Sequence, residues 1–287
     1  MRTIDDLKEM TETARGWLAG GSVGFVCLMS SLHEGHRKLV QAAREGCEIV
    51  VVCILYNWPQ PAAIGAVAQP RWDLTTDLQD LNNLGVDVIF LPRFADLYPS
   101  DFATYVTPMV PLAQRLEGPA IPNVIRDFAT TITKLFELVR PDIAYFGRKD
   151  AQQIAVIRRF VRDLNIDVSL RVIPTVREAD GLALSSRNRH LSPAERQQAP
   201  ALYQALLAGK ALIEGGERRS TAIEQAIAAR LAASPLVALD CAALCHPDAL
   251  TELTDAAPGC LLAAAVQVGA VRLIDNILWA EDGQWIL

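Results

Sequence analysis

No apolar run in this chain is both long enough and clean enough to cross a bilayer; Leu261 to Val268 is only the length of a strand. The first ten residues, MRTIDDLKEM, are charged and helical in character, so no secretory leader is expected. There is no block of Lys or Arg, and the net charge is −6. That argues against a nucleic-acid-binding surface and leaves room for a local anion site. Aromatic residues are scarce, 6% against 51% hydrophobic overall, so the core is aliphatic and alanine-rich and the chain globular. The close CxxC spacing of a zinc site is missing too. Cys27, Cys47, Cys53, Cys241, Cys245 and Cys260 are scattered in apolar surroundings and read as small buried hydrophobes of a reducing compartment. A cytoplasmic protein with no protein-held metal and no membrane partner is expected. Its 287 residues allow one large or two ordinary domains.

What is present is an alternation of strands and helices. Residues 4–19 read as an amphipathic helix with Ile4, Leu7, Met10 and Leu18 inward. Val23 to Met29 is strand-like, and Glu48 to Tyr56 (EIVVVCILY) is the continuous β-branched run of a strand buried on both faces. Two prolines, Pro59 and Pro61, stop it. Helical patterns follow at 74–84, 127–139 and 149–164, and strands at 86–91, 143–146 and 168–173. This order predicts an α/β fold, a Rossmann-like parallel sheet with helices on both faces. After residue 182 the order changes. Ser192-Pro193-Ala194-Glu195 reads as a capping box with a first-turn proline, opening a helix to Ile213. A helix near 219–233 and three strands (237–244, 260–268, 271–278) follow, which predicts a smaller C-terminal α+β domain over 183–287 beside a first domain over 1–182.

Four clusters can carry chemistry. Leu32-His33-Glu34-Gly35-His36 lies between a strand and a helix, where free N–H groups and the positive dipole end attract phosphate. Gly35 removes a side chain from that approach. Its bland reading is two exposed histidines at a helix start. Gly147 to Gln153 follows a strand and puts Lys149 near a helix N-terminus, against the dipole unless an anion sits there; a solvated lysine is the alternative. Ser185-Ser186-Arg187-Asn188 can grip phosphate through two hydroxyls and a guanidinium, or can simply be a capped turn. Asn57 and Gln60 are neutral amides at a strand end, suited to a hydroxyl or carboxylate or to a turn. In a parallel sheet these strand ends face one crevice. No nucleophile has a base nearby. Such a site works by positioning and by stabilising charge, as when a bound oxyanion attacks an α-phosphate and pyrophosphate leaves.

These motifs resemble the pantothenate synthetase (pantoate–β-alanine ligase) family, within the HxGH nucleotidylyltransferase-like group. The resemblance spans nearly the whole chain and is densest in KLFELVRPDIAYFGRKDAQQ and PTVREADGLALSSRN; Arg272-Leu273-Ile274-Asp275-Asn276 matches the family's ending. It implies an ATP-dependent ligase that forms an acyl adenylate of pantoate and passes it to β-alanine, with Mg2+, in a homodimer whose second domain acts as a lid. It implies catalytic roles for His33, His36, Lys149, Ser185, Ser186 and Arg187. The implied ATP site adds Met29, Gly35, Gly147, Asp150, Val176 and Leu184. The implied acid site holds Met29, Asn57, Gln60, Arg126, Phe146 and Gln153.

The departures lie on the acid side. Cys27-Leu28-Met29-Ser30 stands for Pro-Thr-Met-Gly, Asn57-Trp58-Pro59-Gln60-Pro61 for Asn-Pro-x-Gln-Phe, and the 121–127 segment keeps only Pro122 and Arg126. A paralogue that adenylates another acid or uses another amine is therefore a second reading, since even one methylene shifts selectivity by ~1–3 kcal/mol. A nucleotidylyltransferase that forms no amide and a non-catalytic nucleotide binder are readings of other classes.

Overall fold

A computed structural model describes residues 1–17, 20–56, 72–109 and 122–287. The chain begins with β1 (Arg2–Ile4), α1 (Leu7–Trp17), β2 (Val23–Leu28), α2 (Glu34–Gly46) and β3 (Ile49–Ile54). Next come α3 (Leu74–Asn83), β4 (Val88–Phe90), α4 (Phe94–Leu97), α5 (Pro122–Val139), β5 (Ile143–Gly147), α6 (Ala151–Asp163) and β6 (Ser169–Ile173). A 3-10 turn, Ser186–His190, leads to α7 (Pro193–Gln198), α8 (Ala201–Glu214) and α9 (Ser220–Ala232). The chain closes with β7 (Val237–Cys245), β8 (Cys260–Val268), β9 (Val271–Trp279) and β10 (Trp285–Ile286).

The first six strands make an all-parallel sheet in the order β1-β4-β3-β2-β5-β6. Side chains alternate across it as the two-residue period demands. Phe25, Val51, Cys53 and Phe90 pack with α1, α5 and α6, while Val26, Leu28, Val50, Val52, Ile54 and Ile89 pack with α2 and α3. Both faces are apolar, which is why β3 read as an unbroken hydrophobic run.

The last four strands form an antiparallel sheet, β10-β9-β8-β7. Leu262, Ala264, Val266 and Val268 of β8 face the core made by α8 and α9. Leu261 and Ala263 of the same strand belong to the core of the first domain. This strand is therefore buried on both faces although its sheet is antiparallel.

Three expectations change. Ile4 is not in the first helix; it ends β1, paired with Phe90, and the helix begins after Asp6, whose carboxylate accepts from Glu9 N–H at 2.8 Å. The helix expected over 193–213 is two helices, because Pro200 has no N–H to continue the ladder. The capping box itself forms, Glu195 N–H to Ser192 Oγ at 3.4 Å and Ser192 N–H to Glu195 Oε2 at 2.7 Å. Lys149 does not open a helix: α6 starts at Ala151 with Asp150 as its cap, so Lys149 sits in the turn before it.

Candidate active site

The strand order reverses between β2 and β5: the chain runs outward from β2 through β3 to β4, then returns to β5 and β6 on the other side. Crevices at such a switch point, beyond the carboxyl ends of the strands, bind ligands. Here the crevice is a cavity of about 520 Å3, roofed by the loop after β6, the 3-10 turn and β9. That size suits a small-molecule site.

One wall is built of strand ends and a helix start. His33 caps α2 without a side-chain bond, and intrahelical bonding begins with Arg37 N–H to His33 O at 3.0 Å. The N–H groups of Glu34, Gly35 and His36 thus have no acceptor within the helix. The two imidazoles stack, ring centroids 3.7 Å apart and 18° from parallel, and the Nδ1 atoms of both are buried without a hydrogen-bond partner. Burial pushes His33 down to about 4, helped by the Lys149 ammonium and opposed by Asp150. His36 is held well below the ordinary range by burial, with His33 adding to it. Both rings are therefore neutral at pH 7. A Cβ on Gly35 would lie 3.0 Å from the His33 ring, so the glycine also makes room for the stack. On Gly147 a Cβ would meet nothing within 4 Å and would project into open space.

The other wall is the turn at 185–190. Ser185 Oγ accepts from Arg187 N–H at 3.2 Å, so the capped turn and the row of phosphate-type donors are the same structure. Arg187 Nη1 donates to the Arg272 carbonyl of β9 at 3.4 Å, and Arg189 Nη1 crosses to Ser31 Oγ at 3.1 Å, joining the two walls.

Of the sequence-predicted residues, Met29, His33, Gly35, His36, Phe146, Gly147, Lys149, Asp150, Gln153, Val176, Leu184, Ser185, Ser186 and Arg187 all line the cavity. Asn57 and Gln60 lie outside the described residues, as do Trp58 and Pro61. Arg126 is not in the lining. Its guanidinium pairs with Asp127 at 2.8 Å and lies 4.2 Å over the Tyr105 ring, and it is Asp127 and Tyr105 that reach the cavity.

The pantoate–β-alanine ligase family profile matches residues 1–278. The chain belongs to the pantoate–β-alanine ligase family. It is 44% identical over 279 residues to the pantothenate synthetase of Heliobacterium modesticaldum, covering 97% of this chain and 99% of that one. Among solved structures, pantothenate synthetase from Thermus thermophilus superposes with a TM-score of 0.87 at 38% identity, covering 98% of this chain and 100% of that one. A pantoate–β-alanine ligase from Francisella tularensis, solved with β,γ-ATP and β-alanine, gives 0.77 at 28% identity and 97% coverage of each.

Several residues at or beside the cavity carried little or no signal in the sequence. Asp77 of α3 accepts the Leu32 N–H at 2.8 Å and so sets the loop ahead of the histidines. Arg189 and His190 line the cavity two and three residues past Arg187. Arg189 had a usable signal, since it is a second guanidinium immediately after the polar run Ser185–Asn188; Asp77 had none, because its partner is 45 residues away.

Proposed function

We propose that this chain joins pantoate to β-alanine using ATP, through a pantoyl adenylate. The observation that carries the reading is convergence. Two histidines, a helix N-terminus and Lys149 from one domain face Ser185, Ser186, Arg187 and Arg189 from the other around one cavity, with Met29 and Phe146 as an apolar end. A carboxylate oxygen of the acid attacks the α-phosphorus, and the bond to the bridging oxygen breaks so that pyrophosphate leaves. The amine then attacks the acyl carbon, forming the amide and releasing AMP. The donors act where negative charge builds on the phosphates, each contributing ~3 kcal/mol when well placed.

The residue-by-residue roles belong to the same reading: His33, His36 and Lys149 on phosphate oxygens, Asp150 toward the ribose, and Gln153 on the acid. Mg2+ suits the donors present. The lining offers the carboxylates of Asp127 and Asp150, and no three-ligand His/Cys/Asp/Glu cluster occurs among the described residues. Such a set fits an ion that would be carried by the phosphates and its own waters and would supply charge neutralisation. We further place the domain boundary at 182/183, the assembly as a homodimer and the location as the cytoplasm. No helix among the described residues is long and apolar enough to cross a membrane.

Cys27 and Ser30 line the cavity where the family has proline and glycine, which keeps a different acid as a second reading. Pyrophosphate exchange over a panel of acids decides between them. Exchange with pantoate, followed by AMP and pantothenate on adding β-alanine, is expected. Silence with pantoate beside exchange with another acid would overturn the first reading.

A further inference from the structure

Lys149 stands in a turn with little secondary structure of its own. The turn is closed by Asp150 N–H to Gly147 O at 3.2 Å, and Arg148 N–H is tied to Ile173 O of β6 at 2.9 Å. The carbonyls of Arg148 and Lys149 lie ahead of the helix, whose first bond runs from Ile154 N–H to Asp150 O. Both point at one side chain from the other domain. Asn276 of β9, 2% exposed, donates through Nδ2 to Arg148 O at 3.0 Å and to Lys149 O at 2.9 Å. An amide NH2 has two hydrogens, one for each carbonyl; the reverse orientation would set Oδ1 against two carbonyl oxygens.

Asn276 is itself held rigidly. Its backbone N–H donates to Asp275 Oδ1 at 2.8 Å. Asp275 takes a two-pronged bond from Arg177, at 2.6 and 3.0 Å, with side chains 12% and 1% exposed. Arg177 also donates to Gly181 O at 3.2 Å and lies 3.7 Å over the Tyr203 ring. Opposite Asp275 and Asn276, β8 carries Ala264 and Ala263, which leave room for the polar pair.

We infer that Asn276 is a positioning residue for the ligation, fixing the Arg148–Lys149 backbone so that the Lys149 ammonium meets the phosphates. Through Asp275 and Arg177 the same strand also anchors the chain leading to Ser185–Arg187. The inference rests on the proposed role of Lys149. Displacing a catalytic group by about 1 Å can cost 10²-fold in rate, so losing this hold is felt in the chemistry and not only in stability.

The test is Asn276→Asp in the full chain. The substitution keeps shape and replaces the donor by an acceptor; Asn276→Ser serves in its place if that variant does not fold. Pyrophosphate exchange with ATP and pantoate is measured in the parent, in the variant, in Lys149→Ala and in the double variant. Expected is a fall of about tenfold or more in the exchange kcat with KM for pantoate unchanged. On the Lys149→Ala background the same substitution is expected to add less than about twofold, since groups acting through one another are non-additive. An exchange rate for Asn276→Asp within twofold of the parent, with Lys149→Ala slowed more than about tenfold but still measurable, overturns the inference alone. The same fall repeated in full on the Lys149→Ala background also overturns it, because the asparagine would then act independently of Lys149. Unchanged exchange in Lys149→Ala overturns the reading of the site and the inference together.

Discussion

The two walls of the cavity hold the same kind of donor by different means. The first wall is backbone: the ends of β2 and β5 and the start of α2, fixed by ladder bonds on both sides. The second is a five-residue 3-10 turn held by side chains. Asn188 donates to Glu178 Oε1 and to the Ala183 carbonyl, both at 3.1 Å; Arg196 pairs with Glu178 at 2.7 Å and Asp180 at 2.6 Å; Ser185 caps the turn. A ladder holds every residue at once, whereas a side-chain truss can be undone one bond at a time. The first wall therefore sets geometry, and the second can be adjusted without unfolding the sheet.

The largest effect should come from the buried Arg177–Asp275 ion pair beneath the second wall. Arg177→Met leaves Asp275 buried and unpaired, which should cost about 3–5 kcal/mol in chemical denaturation. A loss below about 1 kcal/mol would mean that the truss does not depend on it. On the first wall, His36→Ala should leave the denaturation curve nearly unmoved and lower the adenylation rate by about 10²–10³-fold. If stability and rate fell together there, the contrast between the walls would be gone.

Ser185→Ala should be milder. Loss of a cap costs about 1 kcal/mol, and here it should show as a raised KM for ATP rather than as a lower melting temperature. The smallest signal is protonic. Burial pushes His33 down to about 4, and phosphate oxygens favour its charged form. Nucleotide binding should then take up a fraction of a proton at pH 5–6, and affinity should fall as pH rises. Calorimetry in buffers of different ionisation enthalpy reads this directly, and equal heats in all of them would contradict it.

Much of this was legible beforehand, for physical reasons. The apolar run of β3 and the two-sided burial it implies follow from its β-branched residues. The capping box at Ser192 is local, so its spacing suffices. The ends of β2, β5 and β6 share a crevice because parallel strands put their carboxyl ends on one edge of the sheet. Local spacing failed where the partner is distant. Three residues of β1 look like a helix start until their ladder with β4 exists. Arg126, which the resemblance implies as an acid ligand, pairs with the neighbouring Asp127 and lies over the Tyr105 ring. Asn276 and its two carbonyls are 128 and 127 positions apart, so the string Asp275-Asn276 showed resemblance but not purpose.

The strand β8 has one further consequence. Its alternate residues are divided between two hydrophobic cores, Leu261 and Ala263 on one side and Leu262, Ala264, Val266 and Val268 on the other. Pulling it out opens both cores together. The two halves should accordingly melt in a single cooperative transition, and slow amide exchange should be shared between β3 and β8 rather than ranked by domain.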